Sequence, residues 1–213
     1  MESPKLKAKQ NDDLAMPVTS GNGEVTEVIG DLFDAPEGSC LIHACNTQGA
    51  WGAGIAKAFK QKYPAAFRYY RDHCLDYLDG KDTHNIVNLQ DSNKSSISVR
   101  LPLGTALVIP PQSADYSNGQ KKHWIICLFT SRSFGRRVDS PDLITNSTHA
   151  ALKNLKMQLQ NPEHQHGLQG AAPGKLYSCR FNSGLFAVPW EKTRGIVEEV
   201  GLSMTVVCPP GEA

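Results

Sequence analysis

The sequence predicts an α/β protein built as a three-layer sandwich, in which helices cover both faces of a central mixed sheet. Strand-like apolar runs alternate with helix-like runs along the chain, which is the order found in such folds. Two of these runs, Thr105–Ile109 and His123–Phe129, are apolar without alternation, which is typical of central strands covered on both faces. With 213 residues, the chain is long enough for one well-buried domain and short for two.

The N-terminal part of the chain predicts a tail followed by two strands. Residues 1–23 are polar and are expected to form a flexible tail, and residues 24–213 are expected to form one domain. The apolar pattern that starts at Glu24 and includes Phe33 predicts the first strand. The apolar run Cys40–Asn46 predicts the second strand.

The helices are predicted from spacing and capping. Apolar residues recur at helical spacing on both sides of Pro64, which predicts two consecutive helices. Ser140 and Pro141 form a cap followed by proline at the first helical position, so a long helix should begin there. The full set comprises helices Ile55–Tyr63, Phe67–Leu78, Ser140–Leu159 and Pro189–Val200, strands Tyr177–Phe181 and Ser203–Cys208, a polar loop over residues 80–100 in which Ile97 and Val99 suggest a strand, and a flexible segment Asn161–Gly174.

Charge and cysteine content exclude several classes of function. The 22 Lys and Arg residues nearly balance 21 Asp and Glu residues, so there is no broad basic field for nucleic acid or a membrane surface. No apolar stretch approaches the roughly 20 residues that span a bilayer, and a signal-peptide core is lacking, so a soluble chain of the cytoplasm or nucleus is expected. The six cysteines include no Cys-x-x-Cys pair, and His164 and His166 lie in a polar loop. Reduced thiols, no metal and no cofactor are therefore expected.

Two glycine-bearing loops are the strongest functional signal. Gly49–Ala56 follows the strand Cys40–Asn46, and Asn182–Pro189 follows the strand that ends at Phe181; each loop precedes a helix. Backbone N–H groups at such a turn converge on an anion, helped by the positive end of the helix dipole. Because both loops should lie beyond the carboxyl ends of strands, together they predict a grip on a pyrophosphate. The dinucleotide fingerprint is absent, since its third glycine position is Lys57, and no G-K-[ST] phosphate loop occurs.

These loops and the segments before them resemble the macrodomain family, whose members bind ADP-ribose. The resemblance runs from about Gly30 to Cys208. Within the family the chain is most similar to the branch of fungal phosphatases that act on ADP-ribose 1″-phosphate, a by-product of tRNA splicing. The residues that carry the resemblance are Gly30–Phe33, the block Ile-His-x-Cys-Asn-x-x-Gly-x-Trp-Gly-x-Gly-Ile-Ala over residues 42–56, Cys127–Ser131, and Asn182–Trp190.

The resemblance implies roles for individual residues of a ligand site. Asp31 would accept a hydrogen bond from the adenine amino group, and Asn46 would contact the terminal ribose with Phe186 packed beside it. Taken alone, these three are also typical turn or core residues. Trp51 either walls the terminal pocket or lies partly exposed on its loop. The implied binding set is Gly30, Asp31, Ala44, Cys45, Asn46, Trp51, Gly52, Ala53, Gly54, Ile55, Ala56, Asn182, Ser183, Gly184, Leu185, Phe186, Ala187 and Val188.

Three residues are candidates for catalysis at the terminal phosphate. Hydrolysis of a phosphomonoester needs an oriented water, charge neutralisation and help for the leaving oxygen. His43 is either a proton shuttle or a buried structural histidine, and Asp139 either orients the water or belongs to the start of a helix. Asn46 would orient the terminal ribose. The nearby basic residues, which either bind phosphate or form a solvated loop, are Arg132, Arg136 and Arg137.

The activity implied by the resemblance is a metal-independent phosphatase that converts ADP-ribose 1″-phosphate to ADP-ribose and phosphate. Its partner would be this small molecule, with no direct nucleic-acid binding, and the chain would be a monomer. Two alternatives use the same pocket: a hydrolase of protein-linked mono-ADP-ribose or O-acetyl-ADP-ribose, and a non-catalytic ADP-ribose reader. The related branch that releases ADP-ribose from glutamate uses a lysine and an aspartate. The matching positions here are Ser131 and Phe186, which argues against a covalent lysine mechanism.

Overall fold

The computed structural model describes residues 23–78, 87–90, 96–99, 102–117, 119–160 and 172–211. The strands in this part are β1 Val25–Ile29, β2 Cys40–Asn46, β3 Val87–Gln90, β4 Ser96–Val99, β5 Ala106–Ile109, β6 Trp124–Ser131, β7 Leu176–Ser178 and β8 Met204–Cys208. The helices are α1 Gly54–Lys62, α2 Pro64–Leu78, α3 Ser113–Tyr116, α4 Pro141–Gln160 and α5 Trp190–Val200.

The described strands form one main sheet and one small ribbon. The main sheet has six strands in the order β1-β8-β7-β2-β6-β5, and the ribbon pairs β3 with β4. Every pairing in the main sheet is parallel except that of β5, which runs antiparallel to β6. The carboxyl ends of β1, β8, β7, β2 and β6 therefore lie along one edge of the sheet.

Helices cover both faces of the main sheet. On one face α4 and α5 bury Leu152 and Val197 against the strands, and on the other face α1 and α2 bury Phe59 and Tyr70. This arrangement confirms the predicted three-layer α/β/α sandwich with a mixed sheet. Among the helices of the described residues, none is both long and apolar enough to cross a bilayer.

Most predicted elements are confirmed. The strand β2 has the predicted bounds, and α1 and α2 are consecutive helices, the second of which starts at Pro64. The helix α4 begins at Pro141, and the backbone N–H of Leu143 donates to the Ser140 hydroxyl at 3.4 Å, as expected for a cap. The predicted strand near Ile97 is β4, which pairs with β3. Most of the predicted tail and of the segment from Asn161 lie outside the described residues.

The first predicted strand was too long at its carboxyl end. The strand β1 stops at Ile29, and Leu32–Asp34 form a short 3-10 turn. The reason is the carboxylate of Asp31, which accepts a hydrogen bond from the backbone N–H of Phe33 at 2.9 Å and turns the chain. Leu32 and Phe33 are apolar because the turn carries them into the core beneath α1, where Phe33 packs edge-on against Phe59.

Two other strand predictions were also wrong in part. The run Thr105–Ile109 gives β5, which lies at the edge of the main sheet instead of its centre. Its apolar residues are accounted for by helices, because α4 and α2 both pack against this edge strand. The strand β7 ends at Ser178, three residues before the predicted end at Phe181, and the loop after it begins correspondingly earlier.

The carboxylate of Glu27 joins the edge strand β1 to α5 and to the residues after β7. Arg180 donates to Glu27 Oε2 from Nε at 3.0 Å and from Nη2 at 2.7 Å. The indole Nε1 of Trp190 and the Nη1 of Arg194 each donate to Oε1 at 3.0 Å. The Trp190 hydrogen bond, followed by those of the guanidinium groups, holds the pKa of Glu27 below its usual value near 4.5.

Replacing Glu27 by alanine should lower the free energy of unfolding by about 1–3 kcal/mol at pH 7, because several donors lose an ionised acceptor. Since the folded-state pKa of Glu27 is depressed, this contribution is present above pH 4.5 and is lost as the pH falls through the folded pKa. Urea titrations at pH 7 and pH 3 measure it.

The control for Glu27→Ala is Glu199→Ala. The Glu199 side chain is 68% exposed, and among the described residues its ion-pair partner is His149 at 3.2 Å. Its loss should change stability by at most about 0.5 kcal/mol. Equal losses in the two variants, or an undiminished Glu27→Ala effect at pH 3, would contradict the assigned role of Glu27.

Candidate functional site

Three loops leave the sheet side by side at the carboxyl ends of β2, β7 and β6. The first loop, residues 47–53, connects β2 to α1, and the second loop, residues 179–189, connects β7 to α5. The third loop, residues 132–140, connects β6 to α4. Since β2 lies between β7 and β6, the first loop has the other two as neighbours. Ligands of open α/β sheets bind at this edge.

The side chain of Asn46 folds the first loop. Its Oδ1 accepts hydrogen bonds from the backbone N–H of Gln48 at 3.0 Å and of Ala50 at 3.3 Å. One Nδ2 proton is donated to the carbonyl of Ala50 at 2.7 Å, and the Tyr70 hydroxyl donates to the backbone carbonyl of Asn46 at 2.7 Å. An amide nitrogen carries two protons. The second one has no partner among the described residues, so it is the part of Asn46 that can reach a ligand.

The Trp51 side chain lies in the core, so neither of its two expected positions is correct. It is 1% exposed and stacks on Tyr70 with ring centroids 4.9 Å apart. It also makes a T-shaped contact with the His43 ring, with centroids 4.7 Å apart and an interplanar angle of 69°. Trp51 therefore anchors the first loop to the layer under α1 and α2, and only its backbone lies in the loop.

The first loop ends at an uncapped helix. Ala53, the N-cap residue of α1, makes no side-chain capping hydrogen bond. The first N–H groups of a helix have no acceptor inside the helix, so those of Gly54, Ile55 and Ala56 are available to an anion. Gly54 has φ 55°, a left-handed conformation that favours glycine. The geometry of this helix start is the one expected for binding a phosphate group.

The second loop is held by Asn182 and faces the first loop. Asn182 accepts a hydrogen bond from the Thr130 hydroxyl at 2.9 Å and donates to the Thr148 hydroxyl at 2.8 Å, which ties the loop to β6 and α4. The Leu185 side chain is exposed and reaches across to the first loop, where its Cδ1 lies 3.6 Å from an ideal Cβ position on Gly54. Phe186 is half-buried beside it. Leu185 therefore brings the second loop against the start of α1, where the first loop ends, and the space between the two loops is called the cleft.

Asp31 lies at the end of the edge strand β1. One oxygen of its exposed carboxylate caps the Phe33 N–H, so the interpretation as a turn residue is confirmed. Its other oxygen has no partner among the described residues and can still accept a hydrogen bond from a ligand. The strands β8 and β7 separate β1 from β2, so at about 4.8 Å per strand the two strand ends lie about 14 Å apart.

His43 does not reach the cleft. The ring is fully buried and stacks on Phe59 at 4.1 Å, on the sheet face covered by α1. Its polar neighbour is Cys45, whose Sγ lies 3.5 Å from Nε2 and 3.7 Å from Nδ1. The expectation that His43 shuttles a proton does not fit this position, because no substrate atom can touch a ring enclosed on all sides. The alternative of a buried structural histidine fits.

His43, Cys45 and Cys127 are the group of described residues that could hold a metal ion. Their ligand atoms lie within 4.8 Å of one another, and two thiols with an imidazole suit a soft cation. The Cys45 Sγ is nearly equidistant from the two ring nitrogens of His43, and the structure shows these groups in contact with one another and buried. The sequence argument missed this group because Cys127 joins it only through the pairing of β6 with β2.

The two thiols of this group differ in acidity. Burial raises the pKa of Cys127 well above its usual range. Burial also opposes ionisation of Cys45, but the Cys127 thiol and the His43 ring outweigh it and lower the pKa of Cys45 to about 6. Cys45 is therefore the more acidic thiol of the pair, directly behind Asn46 on the same strand.

The carboxylate of Asp139 makes its hydrogen bonds within the third loop. Its Oδ1 accepts from Arg132 Nε at 2.8 Å and Nη2 at 2.6 Å, and its Oδ2 accepts from the Arg132 backbone N–H at 2.7 Å. The carboxylate is buried, and the Ser131 hydroxyl lies 3.5 Å from Oδ2. Both oxygens are occupied, so the expectation that Asp139 orients a water does not fit. Its structural role is to fix the third loop.

Several residues that build the site were not identified as site residues from the sequence. Tyr70 supports Asn46, Thr130 and Thr148 hold Asn182, and Thr47 donates from its hydroxyl to the carbonyl of Arg132 at 3.1 Å. For Tyr70 the sequence contains one usable signal: a tyrosine at a buried position of a helix needs a hydrogen-bond partner for its hydroxyl. The threonines left none, since their partners come from other elements.

Comparison with protein families and sequences identifies close relatives. A family model described as the Macro domain matches residues 42–197. The chain is 51% identical over 199 residues to a protein of Aspergillus fumigatus, covering 92% of this chain and 100% of that one. It is 52% identical over 191 residues to a protein of Aspergillus clavatus, covering 88% and 96%. Both relatives are named ADP-ribose 1″-phosphate phosphatase.

Solved structures share the fold at low sequence identity. The macrodomain of Mycobacterium tuberculosis DarG superposes with a TM-score of 0.57 and 19% identity, covering 89% of this chain and 99% of that one. Thermosipho africanus DarTG in complex with ADP-ribose gives a TM-score of 0.58 and 15% identity, covering 92% of this chain and 43% of that one. At these identities the similarity applies to the fold alone.

Replacing Gly54 by alanine should lower the free energy of unfolding by about 1–2 kcal/mol, because a Cβ is strained at its left-handed φ. The matched control is Gly195→Ala in α5, where no atom lies within 4 Å of an added Cβ. That change should stabilise the protein by up to about 1 kcal/mol through helix propensity. Chemical denaturation measures the change in the free energy of unfolding for both variants. If the two changes have the same sign, the backbone strain assigned to Gly54 is contradicted.

Proposed function

This chain belongs to the macrodomain family, and on that premise we propose that it is a phosphatase that hydrolyses ADP-ribose 1″-phosphate to ADP-ribose and inorganic phosphate. The observation that carries the proposal is the similarity to fungal proteins of that name, which is 51% identity over nearly the full length of both chains for the Aspergillus fumigatus relative. The facing loops and the uncapped start of α1 support it, because they suit the diphosphate that this ligand contains.

We propose that the ligand lies across the cleft, with adenine at Asp31 and the far ribose at Asn46. The free oxygen of Asp31 is an acceptor suited to the adenine amino group. The separation of about 14 Å between the ends of β1 and β2 calls for an elongated ligand such as a diphosphate that joins two nucleoside-like ends. Phe186, half-buried in the second loop, would pack against the far ribose.

Backbone groups would bind the diphosphate in this arrangement. The donors on one wall would be Gly52 to Ala56, and those on the other would be Gly184 to Phe186. The expected donor Ser183 is excluded from this set, because its backbone N–H already donates to the carbonyl of Arg180 at 3.3 Å. Each hydrogen bond to a charged acceptor contributes about 1.5–3 kcal/mol, and association costs about 4–15 kcal/mol. Four or five such bonds are therefore sufficient for micromolar affinity without basic side chains.

The proposed reaction is attack of water on phosphorus. A bond forms between phosphorus and the water oxygen, and the bond from phosphorus to the ribose oxygen breaks. The water loses one proton and the ribose oxygen gains one to become the hydroxyl of ADP-ribose, so the net transfer is from water to the leaving oxygen. Asn46 would donate a hydrogen bond from its free Nδ2–H to the ribose end of the substrate. His43 and Asp139 would be positioning residues. His43 would support β2 by packing in the core against Phe59, and Asp139 would hold the third loop.

We also propose that the protein acts as a monomer inside the cell, on the free small molecule. The state of the cysteines supports the location inside the cell. All six are free thiols, five of them are buried, and reducing compartments preserve such thiols.

The phosphatase proposal is tested by phosphate release from ADP-ribose 1″-phosphate, with and without EDTA. We expect inorganic phosphate and ADP-ribose in equal amounts, at the same rate with chelator. Parallel reactions contain a mono-ADP-ribosylated protein and O-acetyl-ADP-ribose. Faster turnover of either would favour the alternative hydrolase, and tight ADP-ribose binding without any turnover would identify a reader.

The adenine assignment is tested by Asp31→Asn. The amide keeps one oxygen for the Phe33 N–H and turns an N–H group toward the adenine amino group, so two donors face each other. We expect the Kd for ADP-ribose measured by calorimetry to rise about tenfold or more, with little change in Tm.

The control for Asp31→Asn is Asp34→Asn. Asp34 is an exposed carboxylate of the same turn. Its replacement removes the same charge about three residues away and should leave the affinity for ADP-ribose unchanged. If both variants weaken ADP-ribose binding equally, the effect of Asp31→Asn comes from the loss of negative charge in this region, and the proposed contact with adenine is refuted.

A further inference from the structure

We propose that Arg136 and Arg137 of the third loop bind the terminal phosphate of the substrate and so determine the preference for phosphorylated over plain ADP-ribose. This inference rests on the proposed function and adds a specificity site to it. It follows from the position of the third loop, from the distribution of charge among the three loops and from the way the third loop is held.

The strand order places the third loop beyond the far ribose. From the adenine end, the sheet runs from β1 through β8 and β7 to β2, and β6 is the next strand. A ligand that starts at Asp31 and passes between the second and first loops reaches Asn46 at the end of β2. Any group attached beyond the ribose then extends toward the end of β6, where the third loop begins.

Direct contacts join the third loop to the residues around Asn46. A shift in register pairs Asn46 with Ser131, the last residue of β6. The backbone N–H of Thr47 donates to the carbonyl of Ser131 at 3.1 Å, and its hydroxyl donates to the carbonyl of Arg132 at 3.1 Å. The start of the third loop is therefore fixed within one residue of the proposed ribose contact.

Positive charge is concentrated in the third loop. The first loop contains no Lys or Arg, and Arg180, the basic residue of the second loop, is bound to Glu27. The third loop carries three arginines. Arg132 is paired with Asp139, whereas Arg136 and Arg137 are exposed and make no ion pair with any residue that the structure describes. These two guanidinium groups are the free cations of the three loops.

The third loop is preorganised for presenting these two side chains. Residues 135–137 form a 3-10 turn closed by the Val138 N–H, which donates to the carbonyl of Gly135 at 3.2 Å. The buried carboxylate of Asp139 fixes the backbone at Arg132 on the other side of the turn. A fixed loop loses less entropy on binding, and guanidinium groups match phosphate oxygens in bidentate geometry.

The chemistry of the proposed reaction requires charge at this position. ADP-ribose 1″-phosphate differs from its product by one phosphate group, and backbone amides at the diphosphate cannot distinguish the two. During hydrolysis, negative charge is spread over the three equatorial oxygens of the transferred phosphoryl group. Two guanidinium groups beside it would favour the substrate over the product and stabilise that charge.

The test is the double variant Arg136→Ala/Arg137→Ala. Its matched control, Arg68→Ala/Lys153→Ala, removes two exposed charges from α2 and α4. We expect the first variant to lower kcat/KM for ADP-ribose 1″-phosphate by about tenfold to a hundredfold and to leave the Kd of ADP-ribose within about twofold. The control should change neither quantity, and Arg136→Lys/Arg137→Lys should restore part of the activity, since it keeps charge without the planar fork.

Two outcomes would overturn the proposal. An unchanged kcat/KM would show that the two arginines are solvated and do not contact the substrate. An equal loss of affinity for ADP-ribose would show that they bind the diphosphate or stabilise the fold. If the unmodified protein releases no phosphate, the proposed function fails, and calorimetry with ADP-ribose 1″-phosphate and ADP-ribose decides the arginine site separately. The arginine site is supported if the unmodified protein binds ADP-ribose 1″-phosphate more tightly than ADP-ribose and the double alanine variant does not. It is refuted if the unmodified protein binds both ligands with equal affinity.

Discussion

The parallel pairing of β7, β2 and β6 is the constraint on which the rest of the site depends. Parallel neighbours place their carboxyl ends at one edge, so three loops from distant parts of the chain begin side by side. The register shift after Cys45 pairs Asn46 with Ser131 and brings the first and third loops into hydrogen-bond contact through Thr47. Because side chains alternate between faces, the same register directs His43 and Cys45 into the core behind the loop.

Each of the three loops is shaped by one buried polar side chain. Asn46 folds the first loop, Asn182 ties the second loop to β6 and α4, and Asp139 fixes the third loop. A buried polar group must be satisfied, and satisfying it within a loop restricts the conformations of that loop. The groups left for a ligand are therefore backbone N–H groups, one proton of Asn46 and the exposed arginines. Preorganised donors of this kind bind charge without rearranging.

The parts of the fold that local signals specify were predictable from sequence, and those that depend on pairing were not. Pro64 separates two helices and Ser140 caps a third, because each acts on its own segment. Trp51 could not be placed, since its position follows from stacking on Tyr70, a residue of α2. The cluster of His43, Cys45 and Cys127 and the ion pair between Asp139 and Arg132 likewise depend on tertiary contacts. Local patterns in the sequence therefore placed the glycine-bearing loops at the carboxyl edge of the sheet, whereas the burial of His43 and the hydrogen bonds of Asp139 could not be inferred from them.

On the proposed function, the distribution of charge among the three loops would allow a chain of net charge +1 to select one phosphorylated ligand. Lysine and arginine attract any phosphate over several ångströms, so a basic diphosphate site would bind many nucleotides. Backbone amides act only at hydrogen-bond distance and in fixed directions, which makes the fit of the diphosphate dependent on its position between adenine and ribose. Arg180 is bound to Glu27 and Arg132 to Asp139, so among the lysines and arginines of the three loops, Arg136 and Arg137 are those without an ion pair to any described residue. In the proposed arrangement the cleft would recognise the shape of the ligand along its length and its charge at one end, and the order of the strands would determine which end that is.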